Sequence, residues 1–120
     1  MLVVRSVDRE VRRRPPPQPT LQRLVDATVG ATTMTLLVNR LRAGEEVGAH
    51  LHDVEEILVV VDGECVVHAG RETSRLSAGD AVIVPPHTLH SLGHAGVGIA
   101  RVVAVLGSAH AMPAVLSQHH

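Results

Sequence analysis

His50 and His52 lie two residues apart, so on an extended strand both imidazoles leave the same face. A turn near Asp53 and Val54 lets the following strand run back beside them and present Glu56. Strand alternation puts the competing carboxylate, Glu55, on the opposite face. Two imidazoles and a carboxylate on adjacent strands suit a divalent transition metal with coordination positions left open. A third imidazole, His90, follows the Pro85-Pro86 turn, and any sheet that curls both segments around one cavity gathers four ligands on one ion. His87 and His94 flank it, and as imidazoles they are candidates for proton transfer. Each histidine alone fits an ordinary solvated strand or loop; the common register is what points to a metal.

Strands must hold these side chains, and the composition supplies them. Val contributes 21 residues, Thr 7 and Ile 3, the β-branched types that suit a pleated, half-buried surface. Turn signals recur at short intervals, among them Ala43-Gly44, Asp62-Gly63, Ala69-Gly70 and Ala78-Gly79-Asp80. Short strands between closely spaced turns predict an all-β sandwich or barrel, and no amphipathic stretch is long enough for a βαβ crossover. Strands are predicted over residues 2–7, 34–42, 47–52, 57–61, 64–69, 81–84 and 97–106, with a hairpin closing across Asp62-Gly63. Residues 21–29 fit a short helix or a strand. The run from Arg12 to Pro19 holds four prolines and reads as a semi-rigid, solvated connector. The expected organisation is therefore an N-terminal strand and connector over 1–19, one barrel over 20–107, and a tail over 108–120 whose last residues, His119 and His120, are native or left by a purification tag.

Composition also removes chemistry. All 11 basic residues are Arg, so no lysine can form a Schiff base. The chain has no Phe, Tyr or Trp, which excludes a phenolic acid or base and any aromatic shelf for stacking bases or sugars. With a formal charge of −1, a nucleic-acid partner is not expected. The lone Cys65 excludes an intrachain disulfide and reads as a small buried hydrophobe. No apolar run approaches the roughly 18–20 residues that span a bilayer, so no membrane partner is expected. No leader is visible, which makes the cytoplasm the expected location, and Arg without Lys suggests a GC-rich bacterial genome. Arg40, Arg42 and Arg101 are expected to point to solvent, and His68 to be structural or exposed.

Gly44, His50, His52, Glu56 and Gly63 match every fixed position of G-x5-H-x-H-x3,4-E-x6-G, and Gly79, Pro85 and His90 match G-x5-P-x-G-x2-H-x3-N. In these segments the chain resembles the cupin superfamily. The resemblance implies a single small antiparallel β-barrel of the double-stranded β-helix, jelly-roll type. It also implies that His50, His52, Glu56 and His90 bind one divalent transition metal, with Fe, Mn, Ni and Zn all open. The pattern is broken at His87, where Gly is usual, and at His94, where Asn is usual. Either the loop differs there, or it keeps its shape under strain and aims an extra imidazole at the pocket mouth. Family chemistries that need Tyr or Lys do not fit, and two-barrel oxalate enzymes are longer. The expected function is a metal-dependent enzyme on a small-molecule substrate, of dioxygenase type, with Glu56, His87 and His94 as catalytic candidates. A zinc-dependent cyclase, dehydratase or isomerase and a non-catalytic ligand-binding module are the alternatives. Barrels of this family commonly pair, so a homodimer exchanging the strand over 2–7 is expected.

Overall fold

Alternation of Val, Leu and Ala with polar residues produces two antiparallel sheets packed face to face. The computed structural model describes residues 1–111. Ten strands follow in order: β1 (Val11–Arg12), β2 (Thr20–Val25), β3 (Thr35–Leu41), β4 (Glu46–His50), β5 (Glu56–Asp62), β6 (Glu64–Ala69), β7 (Glu72–Ser77), β8 (Ala81–Val84), β9 (His90–Ala95) and β10 (Ala100–Leu106). One sheet has six strands in the order β1-β2-β3-β10-β5-β8, and the other has four in the order β4-β9-β6-β7. The result is a jelly-roll sandwich whose sheets do not close into a continuous barrel. β10 lies between β3 and β5, and its inward residues Ala100, Val102, Ala104 and Leu106 are buried almost completely. They pack with Leu41, Leu58 and Val60 of their own sheet and with Cys65, Val67 and Leu92 of the other. Each fully buried Val or Leu contributes about 1.5–3 kcal/mol of transfer free energy, and this contact holds the layers together.

Several expected elements differ in the structure. Residues 2–7 are not a strand: the chain has no regular structure before a 3-10 turn at Ser6–Asp8. That segment is tied to its own β2, through Ser6 with the Gln22 carboxamide and through Arg9 with the Leu24 and Arg23 carbonyls. The 21–29 ambiguity resolves as a strand to Val25 followed by a 3-10 turn at Ala27–Val29. Asp62-Gly63 is not a hairpin, because β5 pairs with β8 and β10 while β6 pairs with β7 and β9. The dipeptide is a corner at which the chain leaves one sheet for the other. The last predicted strand starts at Ala100, since Gly96 and Gly98 take positive φ and turn the chain ahead of it. Three strands escaped the sequence reading: β1, two exposed residues at the start of the proline-rich run; β7, an edge strand with only Leu76 buried; and β9, in which His90, Ser91 and His94 masked the alternation. His119 and His120 lie outside the described residues.

The corner at Gly63 has no room for a side chain. Its φ is +73°, and an added Cβ would sit 2.7 Å from the Ile99 carbonyl oxygen and 2.9 Å from the Ala100 Cα. Gly63→Ala is expected to destabilise by at least about 2 kcal/mol, read as a lower urea midpoint at constant slope; an unchanged midpoint would count against the rigid corner. A second anchor is Asp26, buried at the end of β2. Its carboxylate accepts from the Thr28 hydroxyl, the Thr28 N–H (2.9 Å) and the Arg23 guanidinium (2.6 Å). The Thr28 hydroxyl above all, then Arg23 and the Thr28 amide, overcome the cost of burial and hold its pKa at about 2. A depressed carboxylate pKa gives stability that is present above the unfolded-state value and lost as pH falls through the folded one. Asp26 is thus expected to contribute about 2 kcal/mol at neutral pH, with about half gone by pH 3. Wild type and Asp26→Asn, compared by urea unfolding from pH 6 to pH 3, should converge as pH falls, and a constant gap would refute the assignment.

Candidate metal centre

Four polar side chains from both sheets meet at one point. His50 ends β4 and stands directly opposite His90, the first residue of β9, while Glu56 opens β5 in the facing sheet. His52 sits on the crossing segment between β4 and β5, and its carbonyl accepts from the His87 N–H at 2.7 Å. The register of β4 on β9 slips between Val47 and His50, an irregularity of the kind that re-aims side chains beside functional sites. One donor atom from each of His50, His52, Glu56 and His90 lies within 4.8 Å of the others. His52, Glu56 and His90 are buried and His50 is half-buried.

Hydrogen bonds fix which imidazole nitrogen faces inward. The His50 Nδ1–H donates to the Gly48 carbonyl and the His90 Nδ1–H to the Thr88 carbonyl, each at 2.8 Å. A carbonyl can only accept, so Nδ1 carries the hydrogen and Nε2 presents a lone pair to the centre, as in metal-ligating histidines generally. His90 Nε2 lies 2.6 Å from Glu56 Oε1, yet both atoms are buried without a hydrogen bond of acceptable geometry. Glu56 Oε2 is 3.8 Å from His52 Nε2. Burial lowers the His50 pKa, whereas at His90 the same burial is outweighed by Glu56 and the Thr88 carbonyl, which raise it. Buried acceptors aimed at a common point are stabilised by a shared proton or by a cation between them. Three imidazole nitrogens and one carboxylate oxygen fit a divalent transition ion.

The cluster forms part of the wall of a cavity of about 560 Å³, a size suited to a small organic ligand. Leu21, Leu37, Leu58, Leu92, Ala104 and Leu106 make most of the remaining wall apolar. The proline-rich segment, expected as a solvated connector, bends over this cavity. Pro17 and Gln18 line it, and the Glu46 N–H donates to the Pro17 carbonyl at 2.8 Å, tying the segment to β4. Arg14, Arg23 and Asn39 also line it, and the sequence reading singled out none of them as site residues. For Asn39 a signal existed, as a carboxamide at an inward position between the apolar residues Leu37 and Leu41. The placement of Arg14 depends on how the proline segment folds and left no such trace.

The other histidines are placed elsewhere. His87 is exposed and does not line the cavity, although it keeps the left-handed backbone, with φ +60°, that glycine ordinarily supplies. Its imidazole is thus not the extra group at the mouth that the motif departure suggested. His94 follows the inward alternation of β9 but lies under the Gly96–Gly98 turn, where its Nε2–H donates to the Gly98 carbonyl at 2.7 Å. Neither residue reaches the cavity wall, so neither is positioned as the catalytic group expected from sequence. Glu55 is exposed, His68 is exposed with Nδ1 2.8 Å from the Thr73 hydroxyl, and Arg40, Arg42 and Arg101 face solvent. Burial raises the Cys65 thiol pKa to about 11, leaving it an inert core residue.

The fold and centre invite comparison with known proteins. With 20% identity and a TM-score of 0.74, the chain is similar to the polyketide cyclase RemF from Streptomyces resistomycificus, over 89% of this chain and 79% of that one. It is also similar to Lactobacillus farciminis oxalate decarboxylase, at 18% identity and a TM-score of 0.85, over 94% of this chain but only 35% of that one. A Klebsiella pneumoniae protein with a double-stranded β-helix domain matches at 23% identity and a TM-score of 0.73, with 85% and 87% of the two chains covered. At such identities these likenesses establish the fold. No curated protein sequence matches this one. Among the described residues no helix is long and apolar enough to cross a membrane. The Cupin domain family model matches residues 37–106, the stretch that carries all four donors, and the chain belongs to the cupin family.

Proposed function

We propose that the chain is a metal-dependent enzyme that acts on a small, largely apolar, oxygen-bearing organic molecule in a dioxygenase-type reaction. The observation that carries this reading is the convergence of His50, His52, Glu56 and His90 on one wall of an apolar cavity. These residues would hold one ion of Fe, Mn, Ni or Zn, which supplies Lewis acidity and, for the redox-active metals, electron transfer. The chain's own contribution is positional. His50 and His90 are locked by their Nδ1–H bonds, so their Nε2 atoms keep their aim when a ligand enters. Glu56 supplies a carboxylate that can accept a proton from an acidic C–H or enol of a ligand at the cluster. Leu and Ala side chains exclude water around it.

Among the described residues the wall holds no acid or base besides these donors, two arginines and the exposed Glu46. A reaction that needs one deprotonation before dioxygen attacks the resulting enolate suits this wall better than one that needs a separate acid and base. A second reading, a metal-dependent cyclase or dehydratase, draws support from the similarity to RemF, in which most of both chains is covered.

Metal-stripped protein titrated with Fe(II), Mn(II), Ni(II) or Zn(II) is expected to take up one equivalent. At a hundredfold excess of free metal over Kd, stability should rise by about 2.7 kcal/mol. His90→Ala and Glu56→Gln should each weaken uptake at least about tenfold by calorimetry and elemental analysis, and wild type taking up no metal would overturn the reading. Given enolisable dicarbonyl probes, the loaded protein should consume dioxygen and stop turning over under nitrogen. Undiminished turnover under nitrogen would instead establish the cyclase or dehydratase reading.

A further inference from the structure

We propose that Asn39 and Arg14 form a distal subsite that binds the anionic, carboxylate end of an elongated substrate whose reacting end lies at the four-donor cluster. The proposal rests on the functional reading above and extends it to the class of substrate.

Asn39 is 6% exposed, lines the cavity, and its carboxamide makes no hydrogen bond to any described residue. Its amide atoms are not sealed from solvent as Glu56 Oε1 and His90 Nε2 are, so their hydrogen-bonding capacity is open to whatever enters the cavity. Arg14 lines the same cavity. Its Nε–H donates to the Pro19 carbonyl at 3.2 Å, and no carboxylate among the described residues pairs with it. The neighbouring cavity cation, Arg23, is different: it is held by Asp26 at 2.6 Å and by the Ala111 carbonyl at 2.9 Å. Glu46 is exposed and makes no ion pair. Burial first, and the nearby Arg12 charge second, press on the Arg14 pKa, as expected of a cation without a counter-ion. Its free fork matches a carboxylate.

Sheet register puts both groups at one end of the cavity. Glu56 pairs with Leu106, which pairs with Thr35, and Asn39 lies further along the same strand opposite Val102. Asn39 is thus about 13 Å along the strands and about 10 Å across them from Glu56. Its own row continues to Leu21 and Arg12, with Arg14 just beyond. Between the two ends runs the apolar row of Leu37, Ala104 and Leu58. A ligand that satisfies this wall has an oxygenated head, an apolar body and a carboxylate tail.

Octanoate and octan-1-ol, equal in chain length and different in charge, are the probes, measured by calorimetry on zinc-loaded and zinc-free protein. Wild type should bind octanoate about 10- to 100-fold more tightly than the alcohol in both forms. Arg14→Gln should abolish that preference, Arg14→Lys should keep part of it, and Asn39→Leu should weaken octanoate several-fold while sparing the alcohol. Should Asn39→Leu fail to fold, the two Arg14 variants decide, and zinc uptake by each variant should equal that of wild type. Failure of wild type to bind octanoate, equal binding of the two probes, or binding blind to Arg14→Gln overturns the proposal. So does octanoate binding that appears only with zinc and ignores Arg14, since the metal alone would then hold the probe. If wild type takes up no metal while octanoate still depends on Arg14, the subsite stands and the metal-dependent reading falls.

Discussion

Polar acceptors converging inside an apolar sandwich are the constraint on which the rest of the molecule turns. A buried acceptor left without a partner costs about 1–3 kcal/mol, and Glu56 Oε1 and His90 Nε2 face each other at 2.6 Å without hydrogen-bond geometry. Either His90 is charged, as its raised pKa allows, or a metal takes the space the lone pairs share. The Nδ1–H bonds of His50 and His90 to backbone carbonyls favour the metal, because they spend the hydrogen on the outer nitrogen and leave the inner one as a ligand.

The donors come from both layers, so the centre is also a clasp between sheets. His50 and His90 belong to the four-stranded sheet, Glu56 to the six-stranded one, and His52 to the segment that crosses between them. A ligated ion would therefore connect layers otherwise held by apolar burial, and loading would be linked to closure of the sandwich. The hydrogen bond from the His87 amide to the His52 carbonyl ties the segments of the two motifs directly. In this arrangement the left-handed backbone at residue 87 serves the turn, and its exposed side chain takes no part in the cavity wall.

What the sequence revealed and what it hid divide along a physical line. The donors were legible because strand periodicity and fixed spacing place them: His50 and His52 by their two-residue interval, Glu56 rather than Glu55 by alternation. The β-branched runs likewise marked β3, β5, β6 and β8. Local signals failed where a tertiary decision ruled. Asp62-Gly63 has hairpin chemistry, but the chain turns a corner there because each flanking strand finds better partners in its own sheet. β7 is nearly all exposed, so no apolar alternation announced it. The role of Arg14 could not be read because prolines fix local backbone but not the path of the segment.

Those corrections alter the chemistry that the site can support. Had His87 and His94 reached the cavity, proton shuttling could have been shared among several imidazoles. With both elsewhere, the reading proposed above leaves Glu56 as the carboxylate of the cluster that would take up a proton. The absence of Tyr, Lys and every large aromatic then leaves recognition to shape, to the four-donor centre and to the few polar groups at the far end. In a wall of Leu and Ala, one unpaired carboxamide and one unneutralised guanidinium discriminate, because a substrate lacking their partner displaces their water and leaves them unsatisfied. Selectivity in such a cavity comes less from attraction along the apolar body than from the cost of bringing the wrong group to either end.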